Sequence, residues 1–231
     1  MASELDICNL ALGHLGDSAT VSSIDPPEGS AQAEHCARFY PMARDALLEM
    51  HDWSFASKRA LLAQLANPIT QWAYCYAAPA DMLNPIAVLD SAGVDDLAGV
   101  APQSDDPWLA NTLPLVAGPA PQPYVLEAAA NNAAVIYTNQ ATALLRYTAR
   151  VTDPTRFSSL FTQVLAASLT SMLAGPLLKG ETGIAVAARW QAIAFGQDGR
   201  GGLFARATAS DAGQKRNPVR DHHQVAWIAG R

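Results

Sequence analysis

Few residues in this chain combine the type and the spacing that chemistry demands. The nearest approach to a phosphate loop is Gly175-Pro-Leu-Leu-Lys179-Gly180-Glu181-Thr182. Such a loop needs Lys directly after its second Gly to neutralise phosphate charge, and Glu181 in that place would repel it. The stretch also follows a helical pattern instead of a strand, so it reads as a turn between two helices. Asp221-His222-His223 has the right types for a metal or acid–base pair. Adjacent side chains of an extended segment point to opposite sides, however, and would not hold one ion together. Glu34-His35-Cys36 places its neighbours in different directions around a helix, with no third ligand one turn away. His14 and His51 stand near expected helix ends, where an imidazole caps carbonyls. Asp45 and Glu49, four apart, share a face in a way that is common on solvated helices. Gly-x-Ser-x-Gly, His-Glu-x-x-His and Gly-x-Gly-x-x-Gly do not occur. These patterns give no catalytic residue, no cofactor site and no metal site.

Cys8, Cys36 and Cys75 have neither Cys-x-x-Cys nor zinc spacing and cannot close a disulfide framework. They read as reduced, buried, small apolar residues. Trp53, Phe55, Trp72, Tyr74 and Tyr76 have the types that stack on bases or sugars. Their acidic neighbours would repel a phosphate backbone, so they read as the core of a small sheet.

The elements that must carry these residues follow from length and pattern. The chain has 231 residues, half of them apolar and 16% charged. That excludes a disordered chain and suffices for one ordinary domain or two small interlocked ones. No run of about 18 apolar residues lacks a charge or a breaker, so no membrane-spanning helix is expected. Glu4 and Asp6 stand where a secretory signal would place basic residues, so none is expected. Forty-five alanines favour helix.

The net charge of −6 argues against general nucleic-acid binding. Its distribution is uneven. Residues 200–231 carry Arg200, Arg206, Lys215, Arg216, Arg220 and Arg231 against Asp211 and Asp221, leaving 19 of the 21 acidic residues in the first 199. An acidic body thus bears a cationic tail. Arg outnumbers Lys twelve to three, as suits fixed bidentate contacts, and also suits a genome rich in Ala and Arg codons.

A short helix is expected over 3–16, capped by Ser3 and stopped by Gly16, and a second over 30–50 with Pro41 inside it as a kink. From Trp53 the period shifts to alternation. Strands are expected at 53–57, 72–76, 86–90, 124–127, 134–137 and 143–148. Between Asp90 and Tyr124 lies a long Pro-rich loop bearing Asp95, Asp96, Asp105, Asp106 and Trp108. A loop of that length is rare inside a compact domain, so it is expected to be either disordered or docked on a partner, and as an interface it would have Trp108 as its anchor. Helix returns at Asp153-Pro154, carries a wide apolar stripe from Phe157 to Leu173, and ends before Gly175-Pro176. A fourth helix begins near Thr182, weakens at glycines 196–202, and resumes over 203–212.

The fold class expected is α+β, mainly helical: a discontinuous four-helix bundle with an inserted small antiparallel β-domain and an extended C-terminal arm. Its parts are helices over 1–52, the β-domain over 53–151 with its loop at 91–123, helices over 152–213, and the arm over 214–231. None of the helices buries its stripe alone, so they must pack across the insertion.

One phrase in the chain is familiar. Asn9-Leu-Ala-Leu-Gly-His-Leu-Gly16, Ser22-Ser23-Ile24, Ala33 to Cys36, Tyr40-Pro41 and Ala43-Arg44-Asp45 form a unit, followed by Trp53-Ser-Phe-Ala56. Trp72-Ala-Tyr74, Pro79-Ala-Asp81-Met82-Leu83 and the ending near Trp227-Ile228 continue it. This resembles the tail tubular protein A family, the head-to-tail adaptors of short-tailed double-stranded DNA bacteriophages. The match is good over residues 5–90, moderate over the last two helices and weak over 91–123. Its signal lies in order and spacing.

The resemblance implies a structural virion protein and no enzyme. Family members form a ring, twelve-fold in the better known cases, between the portal and the tail nozzle. Double-stranded DNA passes through the bore without sequence-specific binding. Such a protein is made in the host cytoplasm and has no membrane partner. Its cationic arm, with Arg216, Arg220, His222, Trp227, Ile228 and Arg231, would meet the portal or a neighbouring subunit, and Trp108 the tail or a neighbour. Two rivals stand beside it: a non-ring helical module that binds one partner protein, and a small helical hydrolase. The hydrolase requires convergent polar groups in a pocket.

Overall fold

A computed structural model describes residues 2–18, 20–91, 121–197 and 201–215. They form α-helices and two small antiparallel sheets. Helix α1 (Glu4–His14) starts in a capping box: Ser3 Oγ accepts from Asp6 N–H, and the Asp6 carboxylate accepts from Ser3 N–H at 2.8 Å. Helix α2 (Ala31–Glu49) is capped by Ser30 and continues through Pro41. After the sheets, Asp153 caps a 3-10 turn (Pro154–Arg156), and Ser158 then caps α3 (Ser159–Leu178). Helices α4 (Gly180–Phe195) and α5 (Gly202–Lys215) follow.

Helix α3 is the centre of the helical part. Every residue from Val164 to Thr170 is buried, which a helix shows only when it is covered on all sides. Its covers are α1, α2, α4 and α5, so elements from both ends of the chain share one apolar core. Ile7, Leu12, Tyr40, Leu47, Trp53, Phe161, Leu165, Leu169 and Phe204 belong to it. By length and composition α3 could cross a membrane, and a little over half of its most apolar window is buried inside the fold.

Strands β1 (Ser57–Leu61), β4 (Met82–Asp90) and β7 (Ala143–Ala149) make a three-stranded sheet in the order β1-β7-β4. Strands β2 (Gln64–Leu65), β3 (Tyr74–Ala77), β5 (Tyr124–Ala128) and β6 (Ala134–Thr138) make the second, in the order β2-β3-β6-β5. Tyr76, Val88, Ile136, Leu145 and Tyr147 pack together as a core of their own. The first sheet is tied to the helices by Asn84 Nδ2 donating to Glu49 O (2.8 Å) and Ala149 N–H to Ala56 O (2.8 Å).

Several expectations are corrected. The helices described number five instead of four, because α5 is a full element that reaches Lys215, past the expected start of the arm at 214. Residues 53–56 are a turn and no strand: Ala56 and Ser57 N–H both bond to Trp53 O. Trp53 and Phe55 therefore leave the sheet and pack edge-on with Phe161 at 4.9 and 5.1 Å between ring centres. Only Tyr74 and Tyr76 of the aromatic set join the core of the sheet just described, while Trp72 packs at a third, smaller cluster. Helix α3 does not stop before Gly175-Pro176 but runs two residues beyond, so that the expected break in the apolar run is absent. Pro176 removes one backbone donor there, and its ring crowds the carbonyl of Met172 one turn back. The turn between α3 and α4 falls at Lys179 and Gly180, both at positive φ.

Candidate interaction surfaces

The residues that sequence reasoning singled out for partners are Arg216, Arg220, His222, Trp227, Ile228 and Arg231 in the arm, and Trp108 in the long loop. All lie outside the described residues, as do Asp95, Asp96, Asp105 and Asp106. Among the described residues, no three His, Cys, Asp or Glu side chains gather to hold a metal ion.

The most concentrated polar chemistry lies where α5 meets the corner after α2, and nothing in the sequence drew attention to it. Asp211 is 5% exposed. Its Oδ1 accepts from Ser54 N–H at 2.9 Å and from Ser54 Oγ–H at 2.5 Å, and its Oδ2 meets His51 Nε2 at 3.1 Å. Ser, His and Asp together suggest acyl transfer, but the order of contact is wrong. A nucleophilic serine needs the imidazole between itself and the carboxylate. Here the carboxylate stands between them and accepts the serine hydroxyl's hydrogen bond itself. His51 also packs edge-on to Trp53, with ring centres 4.8 Å apart, and Trp53 Nε1–H donates to Leu47 O. The set is an anchor for α5. The available signal was that Asp211 is the single acidic residue of an otherwise alanine-rich helix.

His14 caps no carbonyl with its ring. It stacks on Trp190 of α4, with ring centres 4.3 Å apart, and its Nδ1 lies 3.3 Å from Thr170 Oγ1. Thr170 has one hydroxyl proton, which goes to Ala166 O at 2.7 Å. His14 Nδ1 is therefore the donor and its Nε2 the acceptor. Burial holds the imidazole below its usual range. Asp45, expected on a solvated face, bridges two arginines instead: Arg44 at 2.8 Å and Arg150 at 2.9 Å. Asp81 accepts from Lys58 Nζ at 2.6 Å and Tyr147 Oη at 2.9 Å. The lysine bond holds its carboxyl below the usual range, and burial followed by that carboxylate pushes the Tyr147 phenol up to about 12. All three cysteines are free and buried.

Two kinds of surface remain. An open depression of about 400 Å³ lies between α4 and α5, lined by Ile193, Gly202, Leu203 and Arg206. It has one charged group and no convergent acid and base. Exposed large apolar side chains occur on the strands at Leu61, Leu65 and Leu126, on the helices at Leu10, Met42, Leu178 and Ile184, and at Met50 just after α2.

The residues that carry the adaptor resemblance are mostly architectural. Asn9 clamps Val21 from both sides, Oδ1 accepting its N–H at 2.7 Å and Nδ2 donating to its carbonyl at 3.0 Å. Gly16 adopts a φ of 78° at the end of α1. Ala33, Cys36, Tyr40, Ala43, Arg44, Trp53 and Ala56 are all buried. In comparison with known proteins, no family model matches this chain and no curated protein is significantly similar to it.

Proposed function

We propose that this chain is a structural virion protein, a head-to-tail adaptor whose copies ring the channel between the portal and the tail nozzle of a short-tailed bacteriophage. The observation that carries the reading is the ordered phrase from Asn9 to Ala56, many of whose members, Ala33, Cys36, Tyr40, Ala43, Trp53 and Ala56 among them, build the shared helical core. An adaptor needs a rigid body that places its variable surfaces against several partners, and a phrase spent on packing suits that role. In finer terms the body is a discontinuous helical bundle with an inserted β-domain, and residues 216–231 are the arm that meets the portal or a neighbouring subunit.

The electrostatics agree with a duct. With 19 of 21 acidic residues in the first 199, a wall of carboxylates would repel passing DNA phosphates and keep the duplex from sticking. A positively charged bore would overturn this part of the proposal.

The deciding experiment is the light-scattering mass of the protein alone and mixed with the portal protein of the same genome. The reading predicts a large complex with adaptor and portal copies in equal number. Two unassociated peaks at micromolar concentrations would replace it with a helical module that binds a single partner protein. Removing 216–231, a cut placed after α5, is expected to abolish portal attachment and leave the circular dichroism spectrum helical. Normal attachment by the truncated chain would remove the arm from the proposal.

A further inference from the structure

We infer that residues 216–231 dock on an open apolar face of α2 in the same chain, with Trp227 and Ile228 seated on Phe39 and Met42. The docking itself needs no other molecule. One consequence rests on the adaptor reading above: an arm lying on its own body has to be displaced before it meets the portal.

Helix α2 has three faces. Ala33, Cys36, Tyr40, Ala43 and Leu47 are buried in the core. Glu34, Arg38, Asp45 and Glu49 make a polar flank. His35, Phe39, Met42, Ala46 and Met50 recur at helical spacing along the third face. A surface helix ordinarily buries one apolar stripe and leaves the rest polar. Here the third face is apolar and open. Met42 is 57% exposed, Met50 just past the helix end is 47% exposed, and Ala46 between them is exposed as well. Phe39 is half-buried and stacked with His35, ring centres 6.0 Å apart. Apolar side chains scattered singly need no explanation, but these share one line.

The end of α5 stands beside one end of that face. Asp211, one turn before Lys215, meets His51 Nε2 at 3.1 Å, and His51 directly follows Met50. From Met50 back to His35 the face is about 22 Å long. Residues 216–231 span up to about 53 Å when extended. Trp227 can stand about 36 Å from Arg216, whereas Met42 lies only about 12 Å along α2 from Met50, which leaves ample chain to turn the corner. Leu178 and Ile184 are exposed too, but they stand at the opposite end of α3 from Phe161, the residue that packs on Trp53 in this corner.

The chemistry of the segment matches the face. Val219, Val225, Trp227 and Ile228 supply apolar groups, and Arg216, Arg220 and Arg231 outnumber Asp221. The adjoining flank has Glu34 and Glu49 against Arg38. Both glutamates are exposed and make no ion pair among the described residues, while Asp45 is already held by Arg44 and Arg150. A tethered segment is present at millimolar effective concentration, so a contact too small to hold a separate partner suffices.

The test uses the full chain with Met42→Cys and Ile228→Cys together, against Arg38→Cys and Ile228→Cys as the reference pair on the polar flank. Cys8, Cys36 and Cys75 are buried, so oxidised glutathione at micromolar protein reads the introduced thiols. The first pair is expected to link within one chain about tenfold faster than the reference pair. In a second measurement, Trp227→Ser with Ile228→Ser is expected to speed peroxide oxidation of Met42 about fivefold and to leave Met82 unchanged. Equal linking rates, or unaltered oxidation of Met42, would overturn the docking. A link that forms between chains and not within one would overturn docking on the same chain. Neither readout involves the portal. The docking can therefore fail while adaptor and portal still form an equimolar complex, and it can hold while they stay apart, which would sink the adaptor reading alone.

Discussion

Replacing Asp211 by alanine tests whether α5 is fastened by one buried carboxylate. The carboxylate holds Ser54 N–H, Ser54 Oγ–H and His51 Nε2. The three bonds do not count equally. Ser54 Oγ can rotate and His51 is a quarter exposed, so both recover water. The Ser54 backbone donor cannot turn, and stranding a buried donor costs about 1–3 kcal/mol. Loss of charge-assisted bonds to the other two adds to this, and relief of the desolvation of the carboxylate itself subtracts from it. The net expected loss is about 3 kcal/mol, a large share of the roughly 5–15 kcal/mol that stabilises an ordinary domain. Urea unfolding followed by tryptophan fluorescence measures it, because Trp53 sits against His51. Asp211→Asn keeps an acceptor for the Ser54 N–H and is expected to lose about half as much. Hydrogen exchange should localise the change, with α5 and the 51–56 corner opening while α1 and the centre of α3 stay protected. A loss below about 1 kcal/mol, or opening spread evenly over all helices, would refute the anchoring argument and leave Phe204 and Ala207 as the fastening of α5.

Other outcomes follow from single positions. Gly202 has a φ of 63°, and a Cβ there would strike Ile193 O and lie 2.9 Å from Ala194 O; Gly202→Ala is expected to cost about 2 kcal/mol or more in urea unfolding. Lys179 has φ 54° and ψ 166° between α3 and α4, a region nearly confined to glycine. Lys179→Gly is expected to raise stability by about 1 kcal/mol in the same assay. His14 is depressed in the folded state by burial. The unfolded chain therefore binds the extra proton first, and the His14 contribution is full above the unfolded value of 6.5 and lost as pH falls below it. Stability of the native chain compared with His14→Gln over that range checks the sign, since the variant should lose less on acidification.

What the sequence made legible was local. The cap at Ser3, the start of α2 at Ser30 and the short apolar runs of β6 and β7 depend on neighbours within a few residues, and those elements appear where expected. Asp153, expected to open the third helix, instead caps a separate 3-10 turn and leaves the cap of α3 to Ser158. The failures share the opposite cause. Trp53 and Phe55 alternate like strand residues, yet their destination is set by Phe161, more than 100 residues away. Gly175-Pro176 looks like a stop, yet α4 packs so closely that a Cβ on Gly183 would come within 2.9 Å of Ala174 O. That contact supports the helix through its proline. Asp211 stands out only as the single acid of its helix, and its partners could not be read from there, because His51 and Ser54 lie more than 150 residues before it.

The same division governs the functional reading. The adaptor phrase is legible because its residues are fixed by packing: Asn9 by the backbone of Val21, Tyr40 and Trp53 by the core around α3. Packing residues report a body plan. They say little about what the body touches, since a partner reads exposed side chains and free edges. That is why the test of assembly falls on residues 216–231, which the phrase does not contain, and not on Asn9 or Trp53. A change at Trp53 would unmake the fold and the ring together, at about 3–5 kcal/mol for Trp53→Ala, and so would not separate the two. Removing residues 216–231 takes nothing from the described cores, and a loss of portal attachment there belongs to the contact itself.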